Sequence, residues 1–238
     1  MNSSKGTLYL IPVFLDENTP PEKVFPPYNI RVINHLRHYI AEHEKNARRF
    51  IKKVAPAVPQ NELHFHILNK HTDPAALRSF LTPALEGNDM GLLSDAGMPA
   101  IADPGAKIVR LAHQNGIPVM PLTGPSSIFL ALAASGLNGQ HFEFHGYLPI
   151  DAGQLKTKIK QMVRETQASG KTHVFIETPY RNDKLLNRLT ALLPPAFQLC
   201  VAVNLTGENQ QIHCHSVKEW KNNPIIIGKN PAVFLFGR

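Results

Sequence analysis

Short apolar runs alternate with longer amphipathic segments along this chain. The runs LYLIPVFL, ELHFHIL, MGLLS and IPVMPL have the length and apolar content of buried strands. Two segments, DPAALRSFLTPALEG and PGAKIVRLAHQNG, carry apolar residues at helical spacing; we expect a break before Pro83 in the first and Asp103 as the N-cap of the second. PSSIFLALAASG and HFEFHGYLP add one helix and one strand. This order predicts an α/β fold with a mostly parallel sheet.

A change of pattern at YLPIDAG predicts a boundary between two domains, 1–147 and 148–238. A basic helix, QLKTKIKQMVRETQASG, opens the second domain and is followed by the apolar runs THVFIET, FQLCVAVNL, QIHCHSV and AVFLFG. RNDKLLNRLTALL is a helix between the first two of these runs. The later strands are compatible with hairpins, so antiparallel pairing is expected. The sequence predicts an N-terminal α/β domain and a C-terminal mixed α/β domain.

Composition indicates the cellular compartment and the kinds of partner that are compatible with these domains. The 238 residues are 43% hydrophobic, which is ample for buried cores. No apolar run reaches the roughly 18 residues that cross a bilayer, so no membrane segment is expected. Cys200 and Cys214 are too few for a disulfide framework, which favours a reducing cytoplasm. The net charge of +7 is compatible with polyanionic partners.

Two turn-rich segments follow predicted strands. SDAGMPAIADPG, residues 94–105, and PLTGPSS, residues 121–127, each lead from a strand into a helix. In open parallel sheets this edge is where ligands bind, because the loops there present backbone N–H groups and side chains. Either loop alone is equally compatible with a well-formed turn and helix cap. Together they predict the two walls of one binding site.

Several other motifs are excluded. No G-x-G-x-x-G follows a strand, so a Rossmann dinucleotide site is not supported. The segment ETQASGKT has Glu165 where a phosphate loop needs its first glycine, and it precedes a strand. His213 and His215 flank Cys214, and His64 and His66 share a strand face, without further ligands at workable spacing. These are interpreted as ordinary strand histidines, and no metal is expected.

The ordered series SDAGMPAIADPG, PLTGPSS and GYLP resembles the central segment of the tetrapyrrole methylase superfamily. Within it, the segment is most similar to the bacterial small-subunit ribosomal RNA cytidine-2′-O-methyltransferase family. IETPYR, VAVNLT and PAVFLFG are similar to later motifs of the same family. The resemblance implies two α/β domains of the tetrapyrrole methylase type, S-adenosyl-L-methionine bound in the cleft between them, and a homodimer.

The resemblance also implies a set of site residues, taken position by position. The cofactor-binding residues would come from two loops of each domain: Asp95, Ala96, Gly97, Met98, Thr123, Gly124, Pro125, Ser126, Ser127, Thr178, Pro179, Asn204 and Leu205. Glu42, His43 and Glu177 are the candidate catalytic residues, with Asp95 as a further candidate base. An equally open interpretation of Glu177 is a strand-end carboxylate paired with Arg181.

The N-terminal third departs from the family pattern. VFLDEN stands where the family has T-P-I-G-N-L, and AEHEKNARRFI stands where it has A-E-D-T-R-x-T-R-K-L-L. Glu42 and Arg48 are kept, whereas His43, Glu44 and Lys45 replace the aspartate, threonine and arginine. These changes are compatible with a different methyl acceptor, a relocated base, or loss of the original reaction.

Two basic runs bear on the acceptor. They are either phosphate-binding surfaces or solvated helix faces. Their members are Arg31, Arg37, Lys45, Arg48, Arg49, Lys52 and Lys53 in the first run and Lys156, Lys158, Lys160 and Arg164 in the second. The function predicted is S-adenosylmethionine-dependent methyl transfer to RNA, at a ribose 2′-hydroxyl of ribosomal RNA or within a ribosomal subunit. The alternatives are a small tetrapyrrole-like acceptor, or cofactor or RNA binding without turnover.

Overall fold

The computed structural model describes residues 4–238, which form two compact units divided between Ser126 and Ser127. The sequence pattern predicted this division at 147/148. The difference arises because the helix and strand in 127–147 pack and pair with the second sheet, as described below. Within the described residues, no helix is both long and apolar enough to cross a membrane.

The first unit contains an all-parallel sheet of five strands in the order β3-β2-β4-β1-β5. The strands are β1 (Leu8–Ile11), β2 (His38–Ala41), β3 (His64–Ile67), β4 (Met90–Leu93) and β5 (Val119–Pro121). Four of them were predicted from apolar runs. The mostly parallel sheet predicted for this part of the chain is confirmed, and β2 is an additional central strand.

Helices flank this sheet. They are α1 (Pro21–Val24), α2 (Pro27–His35), α3 (Glu44–Val54), α4 (Thr82–Leu85) and α5 (Ala106–Gln114), with 3₁₀ turns at Gln60–Glu62 and Pro74–Leu81. The break expected before Pro83 is the junction between the second 3₁₀ turn and α4. The prediction of Asp103 as the N-cap of α5 is wrong. Gly105, at φ +140°, precedes the first helical residue, so the chain is still turning after Pro104.

Both faces of the central strands are buried. In β2, Tyr39 and Ala41 pack into one apolar cluster and Ile40 packs into another, as expected for side chains that alternate across a sheet. Three rings, Phe14, Phe25 and Phe50, meet edge to face with centroids 4.9 to 5.8 Å apart in the first cluster. Burial on both faces fixes the register of β2, since a slip by one residue would exchange the faces.

The second unit contains a mixed sheet in the order β6-β7-β10-β8-β9, in which only the β6–β7 pair is parallel. Its strands are β6 (Phe142–Tyr147), β7 (Thr172–Ile176), β8 (Gln198–Val203), β9 (Gln211–Ser216) and β10 (Ala232–Gly237). Its helices are α6 (Ser127–Ser135), α7 (Ala152–Ser169), α8 (Asn182–Leu192) and α9 (Val217–Trp220), with a 3₁₀ turn at Pro179–Arg181. Because α6 packs on β8, β9 and β10, it belongs to this unit. The predicted mixed sheet is confirmed.

A buried histidine pair lies beneath α7 in the second unit. His173 Nε2 is 2.9 Å from the Met162 carbonyl oxygen, which only accepts hydrogen bonds, so this nitrogen carries the proton. His173 Nδ1 therefore accepts from His145 Nε2 at 2.8 Å. Burial, reinforced by the charge of His145, lowers the pKa of His173 from 6.5 to about 4. The pKa of His145 is also lowered, first by burial.

These pKa shifts predict acid sensitivity of the second unit. The unfolded chain binds a proton at His173 below about pH 6.5, whereas the folded chain resists it until about pH 4. The contribution of neutral His173 to the free energy of unfolding is therefore fully present above pH 6.5. It is lost as the pH falls towards 4, and the loss is at most about 3 kcal/mol. His173→Gln keeps a donor and an acceptor but does not titrate, so we expect a flatter dependence of Tm on pH. The exposed His141→Gln is the control, and calorimetry between pH 7 and 4.5 is the measurement. An unchanged slope in His173→Gln would contradict this account.

Candidate functional site

The register of β2 against β4 brings two predicted site residues together. Ala41 pairs with Leu93 at the carboxyl ends of these neighbouring strands. His43 and Asp95 each lie two residues further along, and His43 Nδ1 is 2.7 Å from Asp95 Oδ2. Asp95 matches the family pattern, whereas His43 stands where the family has an aspartate. The sequence predicted both residues as candidates, but not their hydrogen bond.

Carboxylates surround this pair. Polar atoms of Glu42, His43 and Asp95 all lie within 4.8 Å of one another. The half-buried Asp103 belongs to the same electrostatic group. Burial, and then the negative charges of Glu42 and Asp95, raise the pKa of its carboxyl from 3.8 to about 6. This corner of the first unit therefore concentrates negative charge around the half-buried Asp103.

A cavity of about 820 Å³ opens beside the carboxylates, within the first unit. Its walls come from the segments that follow β2, β3 and β4, and they combine acidic, basic and apolar side chains. The lining includes Glu42, His43, Leu68, Asn69, Lys70, His71, Leu77, Asp103 and Lys107. Lys70 and Lys107 are exposed. The cavity can thus receive a ligand that carries both hydroxyl groups and negative charge.

The loop 94–105 is a strained and tightly bonded turn. Gly97, Ala100, Ala102 and Gly105 all have positive φ, at 72°, 65°, 63° and 140°. Gly97 exchanges two backbone hydrogen bonds with Val13, at 2.8 and 3.1 Å. Left-handed alanines are costly and persist only where the surroundings fix them. The loop therefore keeps its backbone N–H and C=O groups in set directions next to the cavity.

The loop 121–127 lies against the first. A Cβ on Gly97 would be 3.7 Å from the Pro125 carbonyl oxygen, which shows how closely the two loops approach. Asn29 is buried and donates from Nδ2 to the Thr123 carbonyl at 2.7 Å. Thr123 is exposed and Ser126 partly exposed, whereas Ser127 is the first residue of α6. The two walls predicted from the sequence are adjacent.

In the second unit, the predicted residues also follow strand ends at a common edge. Ile176 of β7 pairs with Val233, and Val203 of β8 pairs with Ala232, so both strands end at the same side of β10. Asn204 has φ +51°, and its Nδ2 donates to Asn230 Oδ1 at 3.1 Å. Thr178 and Pro179 are partly exposed, but the Leu205 side chain is buried in the core. Leu205 can offer only backbone groups to a ligand.

Glu177 is engaged within its own unit. Its Oε1 accepts hydrogen bonds from Thr178 N at 2.6 Å and from Arg181 Nε at 3.0 Å. Arg181 Nη2 is also 2.5 Å away, and the Glu177 side chain is 7% exposed. The structure favours the strand-end ion pair over the alternative of a catalytic carboxylate.

The two basic runs differ. In the first, Arg48 bonds to Glu44 and the Gln60 carbonyl and covers the Phe65 ring at 4.7 Å. Arg48 therefore stabilises the fold and is not available to phosphates, whereas Lys45 and Lys52 of the same run are exposed. In the second run, three exposed cations of α7 follow one another at four-residue spacing: Lys156, Lys160 and Arg164. None of these three forms an ion pair with another residue of 4–238, so they form the α7 stripe available to a polyanion.

Most of the cavity lining, including three charged residues, was not predicted from the sequence as part of the site. Lys70 and Lys107 lie on the cavity wall, and Asp103 was predicted as a helix cap. The ADPG segment contained a usable signal, because an aspartate followed by Pro-Gly sits in a turn that delays the helix. Lys70 had no such signal, since its position depends on the turn after β3.

Comparison with known proteins identifies the family. The family model for Tetrapyrrole (Corrin/Porphyrin) Methylases matches residues 30–220, and the chain belongs to that family. It is 32% identical over 189 residues to Ribosomal RNA small subunit methyltransferase I of Halalkalibacterium halodurans, an alignment that covers 79% of this chain. The alignment covers 61% of that relative, so the chain spans about three fifths of the length of the curated relative it matches. The family prediction is confirmed.

Two solved structures share the fold. The methyltransferase CobJ superposes with a TM-score of 0.60 at 16% identity, covering 98% of this chain and 94% of that chain. The uroporphyrin-III-C-methyltransferase from Thermus thermophilus superposes with a TM-score of 0.55 at 18% identity, again covering 98% and 94%. The fold class predicted from the sequence is therefore confirmed.

The packing of the second loop generates a prediction. A Cβ on Gly124 would lie 2.2 Å from Pro12 Cγ, and the proline ring has little freedom to move. Gly124→Ala should cost about 2 kcal/mol of unfolding free energy and displace the loop 121–127. Gly139→Ala is the matched control, because its Cβ would meet nothing within 4 Å. Urea unfolding of both variants is the measurement, and equal midpoints would contradict the packing described.

Proposed function

We propose that this protein is an S-adenosylmethionine-dependent methyltransferase that methylates a ribose 2′-hydroxyl of ribosomal RNA. The observation that carries the proposal is the pair of adjacent loops, 94–105 and 121–127, the first of which reaches a cavity lined by acidic, histidine and lysine side chains. The similarity to Ribosomal RNA small subunit methyltransferase I supports ribosomal RNA as the acceptor.

The residues of the first unit suit S-adenosylmethionine. Ala96 and Thr123 are exposed, and Gly97 and Gly124 keep the two loops close together, so backbone groups and small side chains can approach an adenosyl group. Asp95 supplies a carboxylate for hydroxyl or ammonium groups. The predicted set in these loops would hold the cofactor: Asp95, Ala96, Gly97, Met98, Thr123, Gly124, Pro125, Ser126 and Ser127. In the second unit, the family resemblance assigns Thr178, Pro179, Asn204 and Leu205 to the cofactor, and Leu205 can contribute its backbone.

When bound, S-adenosylmethionine supplies a methyl group on a sulfonium, which is displaced in line by the attacking oxygen. The protein contributes alignment of the two reactants and exclusion of water. A ribose hydroxyl is a weak acid, so a proton acceptor in the site assists the reaction. The carboxylates and histidine beside the cavity would provide one.

The charge distribution supports an RNA acceptor. Lys70 and Lys107 line the cavity and are exposed, where they can hold phosphates next to the ribose that is modified. The α7 stripe supplies a second basic surface. A tetrapyrrole also carries carboxylates, so a small tetrapyrrole-like acceptor is the second candidate, and the family match is the observation that favours it.

The proposal extends to a homodimer in the cytoplasm. α6 exposes Phe129 and Leu130, an apolar surface of the kind that subunit interfaces cover. Cys200 and Cys214 are free thiols, as is usual for proteins of a reducing compartment.

Methyl transfer tests the function directly. Purified protein with tritiated S-adenosylmethionine should label ribosomal RNA in small subunits from cells that lack the enzyme. Free ribosomal RNA and a tetrapyrrole pool are the parallel substrates. Nuclease digestion should place the label on a 2′-O-methyl nucleoside. Label confined to the tetrapyrrole pool would contradict the RNA acceptor, and cofactor binding without label in any pool would favour binding without turnover.

The α7 stripe generates a separate prediction. Lys156→Ala with Lys160→Ala should weaken RNA binding and reduce the slope of log K against log salt by about 1 to 2, since each lost phosphate contact removes about 0.7 to 0.9. Lys218→Ala with Lys221→Ala is the charge-matched control. Fluorescence anisotropy at four salt concentrations measures the slopes. Equal slopes for the two double variants would remove the α7 stripe from RNA recognition.

A further inference from the structure

The hydrogen bond between His43 and Asp95 fixes the tautomer of the histidine. A carboxylate oxygen only accepts, so the proton of the 2.7 Å contact lies on His43 Nδ1. In the neutral ring, Nε2 is then left with a free lone pair. The pair thus prepares one nitrogen of His43 to accept a proton.

The His43 side chain is accessible from the cavity. It is 59% exposed and lines the cavity wall. Within residues 4–238, no group donates a hydrogen bond to its Nε2. A hydroxyl group that enters the cavity can therefore approach the free lone pair without displacing a protein partner.

Negative charge lies close to the ring. Asp95 contacts it directly, and Glu42 and Asp103 contribute further negative charge at the same corner. Three other charged or titratable side chains line the cavity, namely Lys70, His71 and Lys107. These side chains are positioned to hold anionic groups of the acceptor. The negative charge of its phosphates would offset the positive charge that the two lysines place near His43.

The other candidate bases are less suitable. Glu177 is occupied by Arg181, as described above. Glu42 and Asp103 are carboxylates that line the same cavity. Neither is oriented by a side-chain hydrogen bond from a described residue. His43 alone among the predicted catalytic residues combines an exposed acceptor atom with a partner that orients it.

We propose that His43 accepts the proton of the hydroxyl that receives the methyl group, and that Asp95 positions its ring. This inference rests on the proposed function. The O–H bond breaks as the proton passes to Nε2, and the oxygen forms a bond to the methyl carbon while the carbon–sulfur bond of the donor breaks. S-adenosylhomocysteine leaves neutral at sulfur, and the imidazolium returns its proton to water. The charges balance without a metal ion.

The first test is the pH dependence of a single turnover on the small ribosomal subunit. His43→Asn should lower the rate about 100-fold, the usual contribution of a general base. It should also abolish the rise in rate between pH 5.5 and 7.5 that the wild type is expected to show. The dissociation constant for S-adenosylmethionine should change less than threefold. His113→Asn, at an exposed position in α5, is the matched control and should behave as the wild type.

Two further measurements distinguish a general base at position 43 from a residue that only supports the structure of the site. Added imidazole should restore part of the rate of His43→Ala, because a free base can enter the vacated space. In the unliganded wild type, ¹⁵N nuclear magnetic resonance should show the Nδ1–H tautomer of His43, independently of any activity. A chelator should leave the wild-type rate unchanged.

The outcomes distinguish this inference from the proposed function. A wild type that binds the cofactor but methylates no substrate would overturn the proposed function. An active wild type with an unchanged pH profile in His43→Asn, or an Nε2–H tautomer in the spectrum, would overturn the assignment of His43 alone. Loss of wild-type activity with chelator, restored by a divalent cation, would also overturn it.

Discussion

The pairing of β2 with β4 is the constraint on which the site depends. Ala41 pairs with Leu93, so both strands end at the same level of the sheet. Two residues further along each chain segment, His43 and Asp95 form a hydrogen bond. Tyr39 and Ile40 are fully buried on opposite faces of β2, so a shift of the register by one residue would exchange the side chains that pack in the two clusters. Core packing thereby determines which polar side chains share the cavity.

Backbone strain is the second feature of the site. Among residues 4–238, the non-glycine residues with positive φ are Ala100, Ala102, Asn204 and Thr206. All four lie in or beside loops that the family resemblance assigns to the cofactor. Each left-handed residue costs on the order of 1 kcal/mol, which the surrounding hydrogen bonds and packing must offset. This cost is understandable where the backbone itself must contact a ligand.

Much of the fold followed from the sequence because apolar runs and turn residues report local structure. The strands β1 and β3 to β10, and the two loops beside β4 and β5, were predicted from these signals. β2 was not, because HYIA lies between the polar segments NHLR and EHEK and is not part of a longer apolar run. The domain boundary was placed after 147 because the turn at YLPIDAG is visible locally, whereas the pairing of β6 with β7 depends on the tertiary structure.

The site was predictable in its members but not in its contacts. Spacing and resemblance identified Glu42, His43 and Asp95, yet the hydrogen bond between His43 and Asp95 required the register of two strands separated by 48 residues of chain between Ala41 and Met90. The engagement of Glu177 by Arg181 was one of two open interpretations, and the geometry favours it. Charge alone did not separate Arg48, which stabilises the first unit, from the exposed α7 stripe.

A crystal structure with S-adenosylhomocysteine and a ribonucleotide tests the central claim most directly. The account predicts that the adenosyl group contacts residues 95–98 and 123–127, and that the ribose hydroxyl lies between the sulfur and His43 Nε2. Density for the cofactor away from both loops, or a ribose bound outside the cavity of the first unit, would contradict it.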